Sequence, residues 1–292
     1  MTDNTPAIEF RHVSLSFGEK QVLRDISFKL GRGQMICITG ASQSGKSVLL
    51  HLAIGLLRPD AGQIFVEGRE IENLDEGEIL AIRGGSMGIV FQDEALFTGL
   101  SVYDNTAFRL AEHGWAEEDI ERAVREALRF VGLEEDIEKL PEELSGGMRR
   151  RLEFARALIG WPKIMLYDEP TEGLDPLNSI QILDLIINAR DIHKISSLLV
   201  TKSLDEIPYL ASHHATVDEK GLVTIREEEA PDTRVLLLDK GEIAFMGSPA
   251  EFTASVLPSV TYMTHAENGT VISDFYTPDP WSKKRRPRIP LL

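Results

Sequence analysis

Residues 40–47 read Gly-Ala-Ser-Gln-Ser-Gly-Lys-Ser, a G-x-x-x-x-G-K-S run, and no other stretch constrains the fold as tightly. The apolar residues before it, Met35 to Ile38, read as a buried strand. After it, Ser47 to Leu57 reads as a buried helix, stopped by Arg58-Pro59-Asp60. A glycine-rich turn between strand and helix turns successive backbone N–H groups inward, and the helix N-terminus adds the positive end of its dipole. Such a loop cradles phosphate oxygens. In this motif Lys46 reaches the β- and γ-phosphates, and Ser47 offers a hydroxyl to Mg²⁺.

The rest of the chain supplies strands and helices in alternation. Residues 7–17 alternate like a half-buried strand, and Ile26 to Leu30 repeat the pattern after a turn at Gly18-Glu19. Residues 63–71 read as strand and turn. Ile120, Val124, Leu128 and Val131 share one face of a helix over 117–131. Two more apolar strands, 163–169 and 197–201, flank a helix over 179–192. This order implies an α/β fold with a mainly parallel sheet and its sites at the strands' carboxyl ends.

Composition narrows the function. A formal charge of -16 argues against nucleic acid as a partner, since phosphate backbones attract basic surfaces. The single cysteine, Cys37, excludes a disulfide within the chain and reads as a core residue. The first ten residues lack the basic and apolar regions of a signal peptide, and no apolar stretch reaches membrane-spanning length. A cytosolic protein is the expectation. An acidic segment, 217–234, carries six acids against three bases, and the end, 281–292, is basic and proline-broken.

Asp168-Glu169 ends the strand Ile164 to Tyr167 and offers one carboxylate to a metal and one to a water. Between this pair and the phosphate loop lies Leu144-Ser145-Gly146-Gly147-Met148, a helix start whose glycines allow close approach of an anion. Together the three motifs resemble the ABC-transporter ATPase family, over roughly Ile8 to Phe252. The resemblance implies a P-loop NTPase core, an N-terminal antiparallel β-subdomain and a helical signature subdomain. It divides the chain into an ATPase domain, 1–257, with its helical part at about 93–158, and a tail, 258–292.

Residue by residue, Gly40, Ser42, Ser44, Gly45, Lys46, Ser47 and Val48 fall in the family's Walker A loop, where ATP binds. Gln92 matches the Q-loop glutamine, a ligand of Mg²⁺ beside Ser47 and the Walker B residue Asp168. Glu169 matches the catalytic base. Ser145, Gly146 and Gly147 match the signature, Asp175 the D-loop, and Phe17 the aromatic that stacks on adenine. A core position on an alternating strand is the competing reading of Phe17. One signature and one Walker A per chain imply a head-to-tail homodimer with two composite sites.

Residues 91–110 together with the signature methionine, Met148, are similar to the MlaF/Mkl branch, the ATPases of Mce-type phospholipid transporters. That branch implies an integral permease of the MlaE kind, an Mce-domain protein, in many systems a STAS-domain protein, and a peripheral place on the cytoplasmic face of the inner membrane. It also places the permease's coupling helix against the segment from Gln92 to Arg109.

Three departures stand out. Ala41 and Gln43 replace the usual proline and glycine of Walker A, and tolerance is expected because neither side chain touches phosphate. The acidic segment reads as a surface hairpin or loop. Counted without a gap from Glu169, the family's H-loop histidine falls on Lys202, and neither His193 nor His213 replaces it by a simple shift. Lysine keeps a cationic donor but loses the ring's acceptor nitrogen. Three functions follow: the ATPase of a lipid transporter, a soluble ABC protein without permease, and an ATP-binding regulator with degenerate hydrolysis.

Overall fold

The computed structural model describes residues 5–218, 222–228 and 232–255, so the basic tail lies outside the described residues. The chain begins with β1 (Ile8–Phe17), β2 (Lys20–Leu30) and β3 (Met35–Thr39), then α1 (Lys46–Ala53). β4 (Ala61–Val66), β5 (Arg69–Glu70), α2 (Glu76–Ser86) and β6 (Met87–Val90) follow. Three helices come next: α3 (Val102–Glu112), α4 (Glu117–Val131) and α5 (Gly146–Leu158). The second half runs β7 (Ile164–Asp168), α6 (Pro176–Asp191), β8 (Ser196–Val200), α7 (Glu206–Ser212), β9 (His213–Val217) and β10 (Val223–Glu227). It closes with β11 (Thr233–Asp239), β12 (Glu242–Gly247) and α8 (Pro249–Thr253).

Six strands form the central sheet in the order β12-β11-β3-β8-β7-β6, all parallel except for the pair β11–β12. A second sheet, β2-β1-β4-β5, is antiparallel throughout. The central strands read as unbroken apolar runs because both faces are covered. Ile36, Ile38, Leu166, Leu198 and Val200 enter one core with α1 and the antiparallel sheet. Cys37, Tyr167 and Leu199 enter the other, with α3 to α6. Cys37 is fully buried, as expected of a core residue, and burial pushes its thiol up to about 12.

One helix ends earlier than expected. α1 ends at Ala53, short of Leu57, because Gly55 takes a left-handed conformation at φ +70° and the N–H of Leu56 turns back to the carbonyl of His51 at 2.8 Å. Arg83 then caps the freed carbonyls of Ile54 (2.7 Å) and Gly55 (2.6 Å), so the stop comes before Pro59. The acidic segment overlaps a hairpin that starts earlier, at His213, with β9 paired antiparallel to β10. Its last residues, Thr233 and Arg234, belong to β11 of the central sheet.

Candidate functional site

The parallel register sets the site. β3, β8, β7 and β6 all end on one edge of the sheet, and Gly40, Lys202, Glu169 and Gln92 follow them there. Gly40 sits at φ +150°, where an added Cβ would fall 2.1 Å from the Leu238 carbonyl oxygen. Gly45, at φ +102°, is the N-cap of α1 and makes no side-chain cap, which leaves the first helical N–H groups facing the loop. Gln43 is left-handed at φ +65°. That conformation is the physical reason a glycine suits position 43, and the glutamine there costs about 1–2 kcal/mol.

A cavity of about 430 Å³ opens at this edge, lined by Phe17, Ser42, Gly45, Lys46, Ser47, Val48, Gln92, Glu169 and Lys202 among others. Phe17 is half exposed at the end of β1 and faces this space, which rules out the core reading. The Lys46 ammonium donates to the carbonyls of Gly40 (2.8 Å) and Ala41 (3.0 Å). Burial holds it below its ordinary value, opposed by the carboxylate of Glu169. Ser44 is buried, and its hydroxyl has no hydrogen-bond partner among the described residues.

Ser47 Oγ donates to Asp168 Oδ1 at 3.0 Å. Burial raises the Asp168 carboxyl above the usual range, against the Ser47 bond, which lowers it. A hydroxyl, a carboxylate and the Gln92 carboxamide are the hard oxygen donors that suit Mg²⁺, an ion that keeps waters and takes further oxygens from phosphate. Glu169 is left-handed at φ +48°, a conformation that costs a non-glycine residue about 1–3 kcal/mol and is found at functional sites. The N–H of Lys202 donates to Glu169 Oε2 at 3.1 Å, and its ammonium lies 3.2 Å from Oε1.

Sequence reading missed several residues. Glu172 accepts from Gln92 Nε2 at 2.6 Å and lies 3.4 Å from the Lys202 ammonium. Burial would lower the Lys202 ammonium, but the Glu169 and Glu172 carboxylates outweigh it and hold it above its ordinary value. Glu206 is buried and accepts from Thr201 (2.6 Å) and from Thr171, tying the end of β8 to the loop after β7. Arg150 of α5 is buried and donates to the carbonyls of Phe91 (2.9 Å) and Gln92 (3.1 Å). It also bonds Glu153 at 2.9 Å, and Glu153 accepts from the N–H of Ala95 at 2.8 Å.

Ser145, Gly146, Gly147 and Asp175 do not line the cavity. Ser145 caps α5 by accepting from the Met148 N–H at 3.2 Å. Asp175 caps α6 by accepting from the N–H groups of Leu177 (3.0 Å) and Asn178 (3.1 Å). Gly147 lies against Asn178, whose Oδ1 would be 2.3 Å from an added Cβ. A separate groove of about 650 Å³ runs between α2, β6 and α3, lined by Leu80, Met87, Phe91, Phe108 and Arg109 among others. No helix among the described residues is long and apolar enough to cross a membrane.

Comparison with known proteins agrees with this architecture. Residues 23–172 match the family model described as ABC transporter. The chloroplastic protein trigalactosyldiacylglycerol 3 of Arabidopsis thaliana is 38% identical over 268 residues, 88% of this chain and 73% of its own. The intermembrane phospholipid transport system ATP-binding protein MlaF of Haemophilus influenzae is 33% identical over 82% of this chain and 92% of its own. The solved structure of cbiO1 from Clostridium perfringens, part of the ABC transporter complex cbiONQ, superposes with a TM-score of 0.73 at 26% identity, over 86% of this chain and 92% of its own. Other relatives carry other cargo names, among them a probable ribonucleotide transport protein, mkl, of which this chain spans 57%, and a methionine import protein, MetN. Fold, phosphate loop and kinship agree: the chain belongs to the ABC transporter family, as one of its ATP-hydrolysing cassettes.

Proposed function

We propose that the chain energises a phospholipid transporter of the Mla/Mce type, as a head-to-tail homodimer on the cytoplasmic face of the inner membrane. Its partners are an MlaE-like permease, an Mce-domain protein and, in some assemblies, a STAS-domain protein. The observation that carries the reading is that the site is half built. The cavity has a phosphate loop and the Glu169 carboxylate, with Asp168 bonded to Ser47 behind it, while the signature residues Ser145 to Gly147 open α5 outside it. A second copy supplies that missing wall. The groove under Leu80 and Phe108 supports a permease helix as its occupant, and kinship with MlaF supports lipid as the cargo.

In this reading Lys46, the α1 N-terminus and the loop's N–H groups hold the phosphates of ATP, and Phe17 stacks on adenine. Ser47, Asp168 and Gln92 hold Mg²⁺, which offsets phosphate charge when bound. Glu169 takes a proton from water as the water oxygen bonds the γ-phosphorus. The bond from that phosphorus to the bridging oxygen breaks, and its electron pair leaves with ADP. Lys202 donates to the γ-phosphate oxygens, and the partner's signature closes over them.

Co-purification from detergent extract, with mass spectrometry of bound proteins and lipids and ATPase assays before and after reconstitution, tests the proposal. The isolated chain is expected to turn over slowly, and the permease complex to be faster and to carry phospholipid. A fully active lone chain with no membrane protein attached would favour a soluble ABC protein.

A further inference from the structure

The Lys202 ammonium raises an electrostatic difficulty within the site itself. It lies 3.2 Å from Glu169 Oε1, on the carboxylate that must stay free to accept a proton. A cation paired with that carboxylate alone would compete with the attacking water for its lone pairs. A second carboxylate is present. Glu172 lies 3.4 Å from the same ammonium, and its other oxygen accepts from the Gln92 carboxamide at 2.6 Å.

We propose that Glu172 is a positioning residue for ATP hydrolysis, which shares the Lys202 ammonium with Glu169 and ties it to the loop that carries Gln92. The geometry supports this in two ways. Glu172 and Glu169 flank one ammonium, so one cation is shared between two acids rather than locked to the base. Glu172 also bridges two segments far apart in sequence, the loop after β6 and the tip of β8, so Gln92 and Lys202 are placed by a common anchor. A reading of positions 169 and 202 alone misses this, because the anchor stands three residues beyond the base in Thr171-Glu172-Gly173.

The inference rests on the reading of Glu169 as the base, so the experiment includes Glu169→Gln as a control. Single-turnover hydrolysis and ATP affinity are measured on the reconstituted complex for wild type, Glu172→Gln, Lys202→His and the double variant. Glu172→Gln is expected to slow hydrolysis about ten-fold while ATP affinity changes less than about two-fold, because the lost interaction places groups rather than binding the nucleotide. In the Lys202→His background the same change is expected to cost much less, since a neutral imidazole donates without a second carboxylate. An equal loss in both backgrounds, or no loss in wild type, overturns the role of Glu172. Normal turnover by Glu169→Gln overturns instead the reading of the base on which it rests.

Discussion

Replacing Arg150 with methionine removes a guanidinium buried beneath the segment that carries Gln92. The carbonyls of Phe91 and Gln92 lose donors at 2.9 and 3.1 Å, and Glu153 loses its cation at 2.9 Å. Breaking a buried ion pair costs about 3–5 kcal/mol when the surviving charge is stranded. Here Glu153 keeps the N–H of Ala95, and burial already pushes its carboxyl above the usual range, so it can neutralise by taking up a proton. The lower end of the range therefore applies. A loss of about 3 kcal/mol corresponds to a fall in Tm of roughly 5 °C for a chain of 292 residues. Thermal unfolding followed by circular dichroism at neutral pH reads it. Arg150→Met with Glu153→Leu removes both charges and is expected to recover more than half of the stability. It is not expected to recover hydrolysis, because the Gln92 segment remains without its donor. A Tm within about 2 °C of wild type for the single variant, or a double variant less stable than the single, would refute the reasoning.

The Glu153 carboxyl also gives stability a pH dependence. Its folded value is raised, chiefly by burial, so its favourable contribution is complete below the ordinary carboxylate value and is lost as pH rises through the raised one. Urea unfolding of wild type and Glu153→Gln should show the variant gaining on wild type with rising pH, and a difference that stays constant would contradict this. At the phosphate loop, Lys46→Ala removes the ammonium now held on the Gly40 and Ala41 carbonyls and should abolish tight ATP binding. Calorimetry that finds undiminished affinity would sink the assignment of the cavity.

Three strands of the central sheet, β3, β7 and β8, were legible because each is covered on both faces, so Ile36 and Ile38 alternate with Met35 and Cys37 between two cores and all four are apolar. The phosphate loop was legible because its backbone geometry demands glycine at positions 40 and 45. What stayed hidden depends on contacts between distant segments. Arg150 stands in a run of three consecutive arginines, which point in different directions around a helix, and only packing of α5 against the segment after β6 buries it. Glu172 reads as a loop acid until β8 brings Lys202 beside it. The early end of α1 was misplaced because Arg83, from α2, supplies the cap that Pro59 was expected to make unnecessary.

The central claim, an ATP site completed by a second copy, is most directly tested by light scattering of Glu169→Gln with and without ATP. The variant should retain ATP affinity, lose hydrolysis, and pass from the monomer mass of 32.6 kDa to twice that value when ATP is added. A mass that stays at 32.6 kDa with ATP bound, or turnover at the wild-type rate, would contradict the account.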